Sequence, residues 1–593
     1  MSEENLYTFE NEAYRKTYWH TCSHIMAQAV KRLWPEVKLA IGPSIDAGWY
    51  YDFDAPFAFT NEHLEQIEAE MKKIIKERLP LVRSEKPRPE AIAYMEEKGE
   101  PYKVELINDL PKDAVISFYT QGEFTDLCAG PHLDSTGRVK GNAFKLTACN
   151  ASYWRGDAKR QSLQRIYGIA YLKKDELEEY LQRLEEAKRR DHRKIGRDMR
   201  LFMTDDLVGR GLPMFLPKGY TIWRELENYI RDKELHLGYQ HVMTPCVGTV
   251  GLYKTSGHWD HYKQNMFPAM EIDEDAYVLR PMNCPHHMMI YASQPHSYRN
   301  LPLRIGEIAH DFRYEASGAL KGIERGRHFC QNDAHLFCTP EQIKEEVGKV
   351  CDLIFDTYKD FGITDYRCVL SLRDPADKEK YHDDDAMWNT AETALREVLV
   401  DLGINFTEEI GEAAFYGPKL DVNVRPAVGA EYTLSTCQLD FCLPAKFDLK
   451  YIDTDGSEKT PVVIHRAILG SLDRFMAYLI EETMGNFPVW LAPVQVKLLT
   501  ITDRVNDYAE KLWSELERAN IRVEMDSRNE KVGKKIREAT LEKVPYMLVI
   551  GDRDMENGTV SVRTRTGTDL GAMTPEEFKA LCLKQIAEKD RSI

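Results

Sequence analysis

The sequence lacks any apolar run approaching the ~18 residues that a bilayer-spanning helix needs, so no segment reads as a membrane span. Its N-terminus, MSEENLYTFENEAYRK, has no apolar stretch of the export-signal kind. Twelve cysteines are scattered over 593 residues without a disulfide-like framework. They read as reduced thiols or metal ligands in a cytoplasmic protein. Low-complexity tracts are missing, as is any repeat of fixed period. An excess of positive charge is missing too. The formal net charge of −17 argues against a chain coated all over by nucleic acid, but leaves room for a local basic surface. What is present is globular composition, 43% hydrophobic and 30% charged. At this length, roughly three to five domains are expected.

Periodicity places the elements. Ser23 to Leu33 is apolar at helical spacing, with Ile25, Met26, Ala29, Val30 and Leu33. Asn61 to Arg78 is a second amphipathic helix with Asn61 as its expected N-cap. LPLVRSEKPRPEA follows as a surface connection. Asp175 to Ile195 is expected as one long charged helix joining domains. The last hundred residues alternate strand and helix (VKLLTIT, Arg504–Leu516, IRVEMD, Lys531–Lys543, YMLVIGD, TVSVRTR), the pattern of a small three-layer α/β domain. The expected division is 1–175, a linker helix 176–195, then 196–490 and 491–593.

Three patterns in the middle region carry chemistry. A helix is followed by a strand that ends in Pro245. Leu303–Phe337 reads as two strands joined by a loop, with Arg313, Arg325 and Arg327. HRAILGSLDRFMAYLIEE, from His465, has a helical stripe that leaves Gly470 and Arg474 aside. Any one of these arginines, taken alone, is best read as a solvated or ion-paired surface residue. A glycine inside a helix costs about 1 kcal/mol relative to alanine, which a close approach by a ligand or a second backbone would justify, as would simple helix packing.

Taken together, RPMNCP (280–285), FRYEASGAL (312–320), QNDAHLFCTPEQ (331–342), FYGPKLD (415–421), STCQLDF (435–441) and HRAILGSLDRF (465–475) resemble the threonyl-tRNA synthetases. These are class II aminoacyl-tRNA synthetases, and the resemblance runs from about residue 14 to 580. It implies an α+β multidomain chain. An N-terminal α+β editing domain would precede a catalytic antiparallel sheet flanked by helices, and a C-terminal α/β anticodon-binding domain would follow. It also implies threonine activation with ATP, transfer to tRNA(Thr), and a homodimer formed through the first pattern. Arg313, Arg325 and Arg474 would act on ATP, with Mg²⁺ sharing the phosphate charge. Met282, Gln331, Asp333, Tyr416, Lys419 and Gln438 match substrate-binding positions.

Spacing alone would never join Cys284, His335 and His465. The resemblance makes them ligands of one Zn²⁺ whose open position holds the amino and hydroxyl groups of threonine. That would separate threonine from valine better than an apolar pocket, which manages only ~10²-fold. Serine shares the hydroxyl, so a second sieve is needed. His20 and His24 lie one helical turn apart, and Cys128 and His132 are also four apart, beside Asp126. By their spacing these could bind a metal or be unrelated polar residues. The resemblance makes them, with Tyr51, an editing site that hydrolyses seryl-tRNA without requiring a metal. Asn529, Arg537, Arg563 and Arg565 match anticodon contacts, where unpaired bases offer edges and faces to such side chains.

The sequence departs from that family at several places. Many members begin with a small ubiquitin-like domain, whereas this sequence starts at the editing region, as a truncated or naturally shorter form would. His286, His328, Cys330, Asn332, Ala430 and Cys437 replace other residues in segments expected to line the catalytic pockets. Two expectations follow: an isoform less sensitive to pocket-filling inhibitors, or a non-charging RNA-binding paralogue, which would gain if His286 or His328 filled the pocket. A stand-alone metallohydrolase centred on His20, His24, Cys128 and His132 is the third reading.

Overall fold

The computed structural model describes residues 7–157, 159–427 and 429–592. Contacts divide the chain into two units, Met1–Glu185 and Glu186–Ile593.

In the first unit, helix Glu12–Leu33 starts where the Asn11 side chain accepts the Tyr14 amide. Helix Asn61–Glu77 packs beside it. Its N-cap is Thr60 rather than the expected Asn61. The Thr60 hydroxyl accepts the His63 amide while the His63 ring accepts the Thr60 amide, closing a capping box. The helix Glu12–Leu33 also packs on a five-stranded sheet built around Gly48–Asp54, Ser162–Ala170 and Phe144–Tyr153. The segment expected as a surface connection holds an exposed strand, Val82–Glu85. That strand joins Ser117–Gln121 and Phe124–Leu127 in a three-stranded sheet, and helix Arg88–Glu97 follows it. The long charged helix is two helices, Lys174–Arg190 and His192–Asp198. Asp191 breaks it, because its carboxylate accepts the Arg193 amide and caps a new start.

The second unit is built on an eight-stranded sheet. Its order is Gln240–His241, Leu303–Phe312, His328–Cys338, Val462–Ser471, Tyr432–Asp440, Lys419–Val424, Tyr366–Leu372 and Phe406–Ile410. The six central strands run antiparallel as expected, but the two edge pairings are parallel, so the sheet is mixed. Helices Pro217–His236, Ile343–Phe361 and Leu472–Thr483 share the main hydrophobic core with it. Among the described residues no helix is long and apolar enough to cross a membrane.

The register matters more than the order. His335, His465, Gln438 and Lys419 are directly cross-strand and form one row on one face. The adjacent row is Asp333, Ala467, Thr436 and Asp421. Because side chains alternate with a period of two, the residues between these rows face the other way. Gly470 is not in a helix. It lies in the strand Val462–Ser471, one residue before the Ser471 N-cap, at φ +60. A Cβ there would stand 2.3 Å from the Leu434 carbonyl oxygen. Both the left-handed backbone and the close strand contact therefore require glycine.

The C-terminal part holds a five-stranded sheet in the order Val523–Asp526, Val496–Thr500, Tyr546–Ile550, Val560–Thr564 and Asp569–Met573, followed by helix Pro575–Glu588. The first three strands are parallel and the last two antiparallel, around a separate apolar core.

Candidate active site and metal centre

The two rows of the eight-stranded sheet floor a cavity of about 370 Å³. Of the residues singled out in the sequence, Met282, Cys284, Arg313, Gln331, Asp333, Tyr416, Lys419, Gln438 and His465 line it. An adjoining pocket shares Arg313, Gln331, Lys419 and Gln438 with it and is completed by Arg325 and Arg474. The three arginines and the substrate-binding candidates thus share one cleft.

Cys284, at the start of helix Cys284–Ala292, meets His335 and His465, and one ligand atom from each lies within 4.8 Å of the others. All three are buried. The hydrogen bonds around them fix which atoms converge. His465 Nε2 donates to Asp440 at 2.8 Å, leaving Nδ1 with a bare lone pair. His287 Nε2 donates to Glu307 at 3.1 Å, so the Nδ1 of a neutral His287 accepts the Nδ1 proton of His335 at 2.8 Å. That leaves His335 Nε2 bare as well. Among the described residues these two nitrogens, His335 Nε2 and His465 Nδ1, have no hydrogen-bond partner although they are buried. A buried polar atom without a partner costs about 1–3 kcal/mol. Two lone pairs and a thiol turned toward one point are the arrangement a zinc-class cation satisfies, and each imidazole is oriented by a second partner as metal-ligating histidines usually are.

Around this group, Tyr416 stacks on His465 at 4.7 Å and donates to Gln438 at 2.6 Å. Burial pushes the Asp333 carboxyl up to about 6. Lys419 is ion-paired with Asp421. Arg313 stacks over Phe329 at 4.9 Å and donates one long bond, 3.4 Å, to the Pro281 carbonyl. Arg474 donates to the Glu324 carbonyl at 3.2 Å and lies over Tyr432. Neither has a carboxylate within ion-pair distance among the described residues. Arg325 differs: it is half-exposed and paired with Glu315 at 3.1 Å.

A second group forms within the N-terminal unit. Cys128 Sγ lies 3.3 Å from His20 Nε2 and 3.2 Å from His132 Nε2, and the His24 and His132 ring centres are 4.0 Å apart. Asp126 accepts the Tyr51 hydroxyl at 2.6 Å and pairs with Lys103 at 2.7 Å. Burial lowers all three imidazoles, His24 and His132 far below the usual range, and raises the Cys128 thiol to about 11. The cluster is therefore a set of neutral groups at neutral pH.

Comparison with known proteins matches residues 116–167 to the threonyl and alanyl tRNA synthetase second additional domain. Residues 267–483 match the class II core domain of the G, H, P, S and T synthetases, and residues 489–585 match an anticodon-binding domain. The threonine–tRNA ligase of Anoxybacillus flavithermus is 57% identical over 545 residues, 92% of this chain and 84% of that protein. Threonine–tRNA ligase 1 of Bacillus subtilis is 53% identical over 560 residues, 94% and 87% of the two chains. The chain belongs to the threonine–tRNA ligase family. Among solved structures, the RNA-binding domain of threonyl-tRNA synthetase from Cryptosporidium parvum is 37% identical with a TM-score of 0.63, covering 66% of this chain and 98% of that one. A threonyl-tRNA synthetase from Aeropyrum pernix is 26% identical with a TM-score of 0.59, covering 68% and 96%.

Several residues expected from the sequence to line the catalytic pockets are placed elsewhere. Cys437 pairs across the sheet with Arg466 and Leu420 and is buried in the core on the face away from the cleft. Asn332 points the same way, donating to Glu234 at 2.8 Å beside the buried Arg466–Glu234 pair. Cys330 lies beside His310 and also does not line the cleft. In each case strand alternation carries the side chain off the pocket. Ala430 is exposed in the loop before Tyr432–Asp440. His286 packs near Gly248 and Tyr253, and His328 against His310 and Phe312; neither lines the cleft.

In the last domain Asn529 and Arg537 are exposed and Arg563 is half-buried on Val560–Thr564. Arg565 does not join them. It is buried and donates to the Phe487 carbonyl at 2.6 Å and the Asn486 carbonyl at 3.0 Å, tying the end of the catalytic domain to this one.

Sequence reasoning missed Lys103, His287, Glu307 and Asp440. Asp440 stands in STCQLDF, two residues from Gln438 and so on the same face, which was a usable signal. The others carried none. Replacing Asp440 by asparagine keeps an acceptor for His465 but drops its charge. Zinc affinity, measured by competition with a chelator, is expected to fall ~10–100-fold.

Proposed function

We propose that this protein activates threonine with ATP and transfers it to tRNA(Thr), with editing of seryl-tRNA(Thr) by the region 1–175. The observation that carries this reading is the pair of bare, buried lone pairs on His335 and His465, set with Cys284 in a cleft that also holds Arg313 and Arg474 without carboxylate partners. Cys284, His335 and His465 would hold one Zn²⁺. When bound, zinc supplies an electrophilic position that prefers an oxygen donor to a methyl group. Asp333 and Gln331, one and two rungs along the same strand face, receive the amino group, with Tyr416 and Gln438 closing the pocket and Met282 at its wall.

The threonine carboxylate attacks the α-phosphorus of ATP and pyrophosphate leaves. Arg313 and Arg474, as unneutralised guanidinium groups, hold the charge that spreads through that phosphorus, and Arg325 reaches over from the loop. Mg²⁺ enters with ATP. A ribose hydroxyl of the tRNA then takes the threonyl group and AMP departs. Asn529, Arg537 and Arg563 meet the anticodon. The protein works in the cytoplasm as a homodimer joined through helix Pro217–His236 and the strand after it, where Leu235 and Met243 stand exposed.

Zinc-replete protein is expected to exchange pyrophosphate into ATP when threonine is added, and not with valine. Absence of threonine-dependent exchange would overturn the assignment. A non-charging role has no support in the cleft, because neither His286 nor His328 fills it.

A further inference from the structure

On the opposite face of the hairpin that carries Arg313, Gln331 and Asp333 lies a second side-chain cluster. His310 is directly cross-strand from Cys330, and His328 stands two residues before Cys330 on the same face. One ligand atom from each of the three lies within 4.8 Å of the others. The two imidazole rings stack, 5.2 Å between centres and 10° between planes. His310 Nδ1 is 3.0 Å from His328 Nε2 and 3.3 Å from Cys330 Sγ.

These contacts cannot all be hydrogen bonds. A ring nitrogen carries either one proton or one lone pair, directed along one line in the ring plane. His310 Nδ1 faces two partners at once, and so one of the two contacts is unsatisfied in any tautomer. Desolvation holds the His328 imidazole down at about 4, so it is not a cation that could donate from both nitrogens at neutral pH. What the cluster does bring together is three potential metal-ligand atoms, all within 4.8 Å of one another.

We propose that His310, His328 and Cys330 bind one late first-row divalent ion of the zinc class, at a site separate from the Cys284–His335–His465 group. A tetrahedral zinc with bonds of ~2.0–2.1 Å to nitrogen and ~2.3 Å to sulfur holds its ligands ~3.3–3.6 Å apart. The two spacings from His310 Nδ1, 3.0 and 3.3 Å, need to open by only a few tenths of an ångström to accept it, and the third pair already lies within 4.8 Å. Two imidazoles and a thiolate select zinc, cobalt or copper over calcium and magnesium. On binding, the Cys330 S–H bond breaks, the thiolate sulfur bonds to the ion and the proton leaves to solvent. No fourth histidine, cysteine or carboxylate completes the group among the described residues, and His310 is exposed, so water takes the remaining position. The ion would clamp the loop ends of Leu303–Phe312 and His328–Cys338, one residue from Phe329, on which Arg313 stacks.

The test is metal stoichiometry of the full chain after dialysis against zinc, read by elemental analysis, with Co²⁺ spectra as a second readout. The wild-type protein is expected to hold one more equivalent than either Cys330→Ser or His310→Ala. Binding of that equivalent should release one proton, and a thiolate-to-cobalt absorption band should be lost in the serine variant. His310→Ala changes an exposed side chain, and so separates lost binding from lost folding. Equal metal content in all three proteins would overturn the proposal, as would an extra equivalent that survives in both variants.

Discussion

Serine in place of Cys284, or alanine in place of His335, is expected to leave a folded chain that has lost its catalytic zinc and no longer activates threonine. The three proposed ligands come from one helix start and two neighbouring strands, so removing any one would leave only two donors for the metal. The His335 variant also strands the His287 Nδ1 lone pair, which now accepts the His335 proton. Threonine-dependent pyrophosphate exchange should drop roughly 10³-fold or more, since loss of one preorganised electrostatic contact at a reacting centre costs ~10²–10³ by itself. The C-terminal core is separate, and its unfolding transition should not move. Zinc retained at full stoichiometry in both variants would mean that the ligand set is wrong.

The sequence carried the element types well and the facing of single residues poorly. Strand and helix periodicity in the last hundred residues is strong, and the Leu303–Phe312 and His328–Cys338 hairpin follows from its two apolar runs around a glycine-bearing loop. The stripe from Ile468 to Leu479 looked helical throughout because a buried strand running into a helix is apolar at both periods. The φ of Gly470, the strand pairing that runs to Ser471 and the Ser471 N-cap show that the helix starts later. Cys437 and Asn332 stood one residue away from pocket residues, and a one-residue offset in a strand is a change of face. Lone sequence positions such as His287, Glu307 and Lys103 gave no signal, because their work is done on residues distant in the chain: His287 on His335, Lys103 on Asp126. The ligand set itself came from resemblance. The hydrogen bonds of Asp440 and His287 supply the physical reason it makes sense.

Those unusual residues also bear on inhibition. With Cys437 and Asn332 facing the core, they cannot act on a pocket-filling inhibitor by direct contact.

The double variant His20→Ala with His24→Ala is expected to charge threonine at the wild-type rate while seryl-tRNA, nearly absent before, accumulates as a major product when serine is supplied. The two histidines belong to the Met1–Glu185 unit, and every residue lining the cleft belongs to the other. Their chemistry also points to a hydrolytic pocket without a charged nucleophile. The Cys128 thiol, raised to about 11, stays protonated at neutral pH, and burial keeps the imidazoles neutral. Asp126 is held in place by Tyr51 and Lys103. Neutral ring nitrogens can accept a hydrogen bond from water and hold that water against the ester, which is positioning rather than nucleophilic catalysis. The sign of the shifts gives a second readout. A histidine whose value is lowered gains its proton only below the ordinary imidazole range, so deacylation of seryl-tRNA by the wild-type protein should stay flat as pH falls through that range. Loss of threonine charging in parallel with editing would show that the two histidines support the fold instead, and a thermal unfolding curve of the double variant, unchanged or shifted down, tells the two apart.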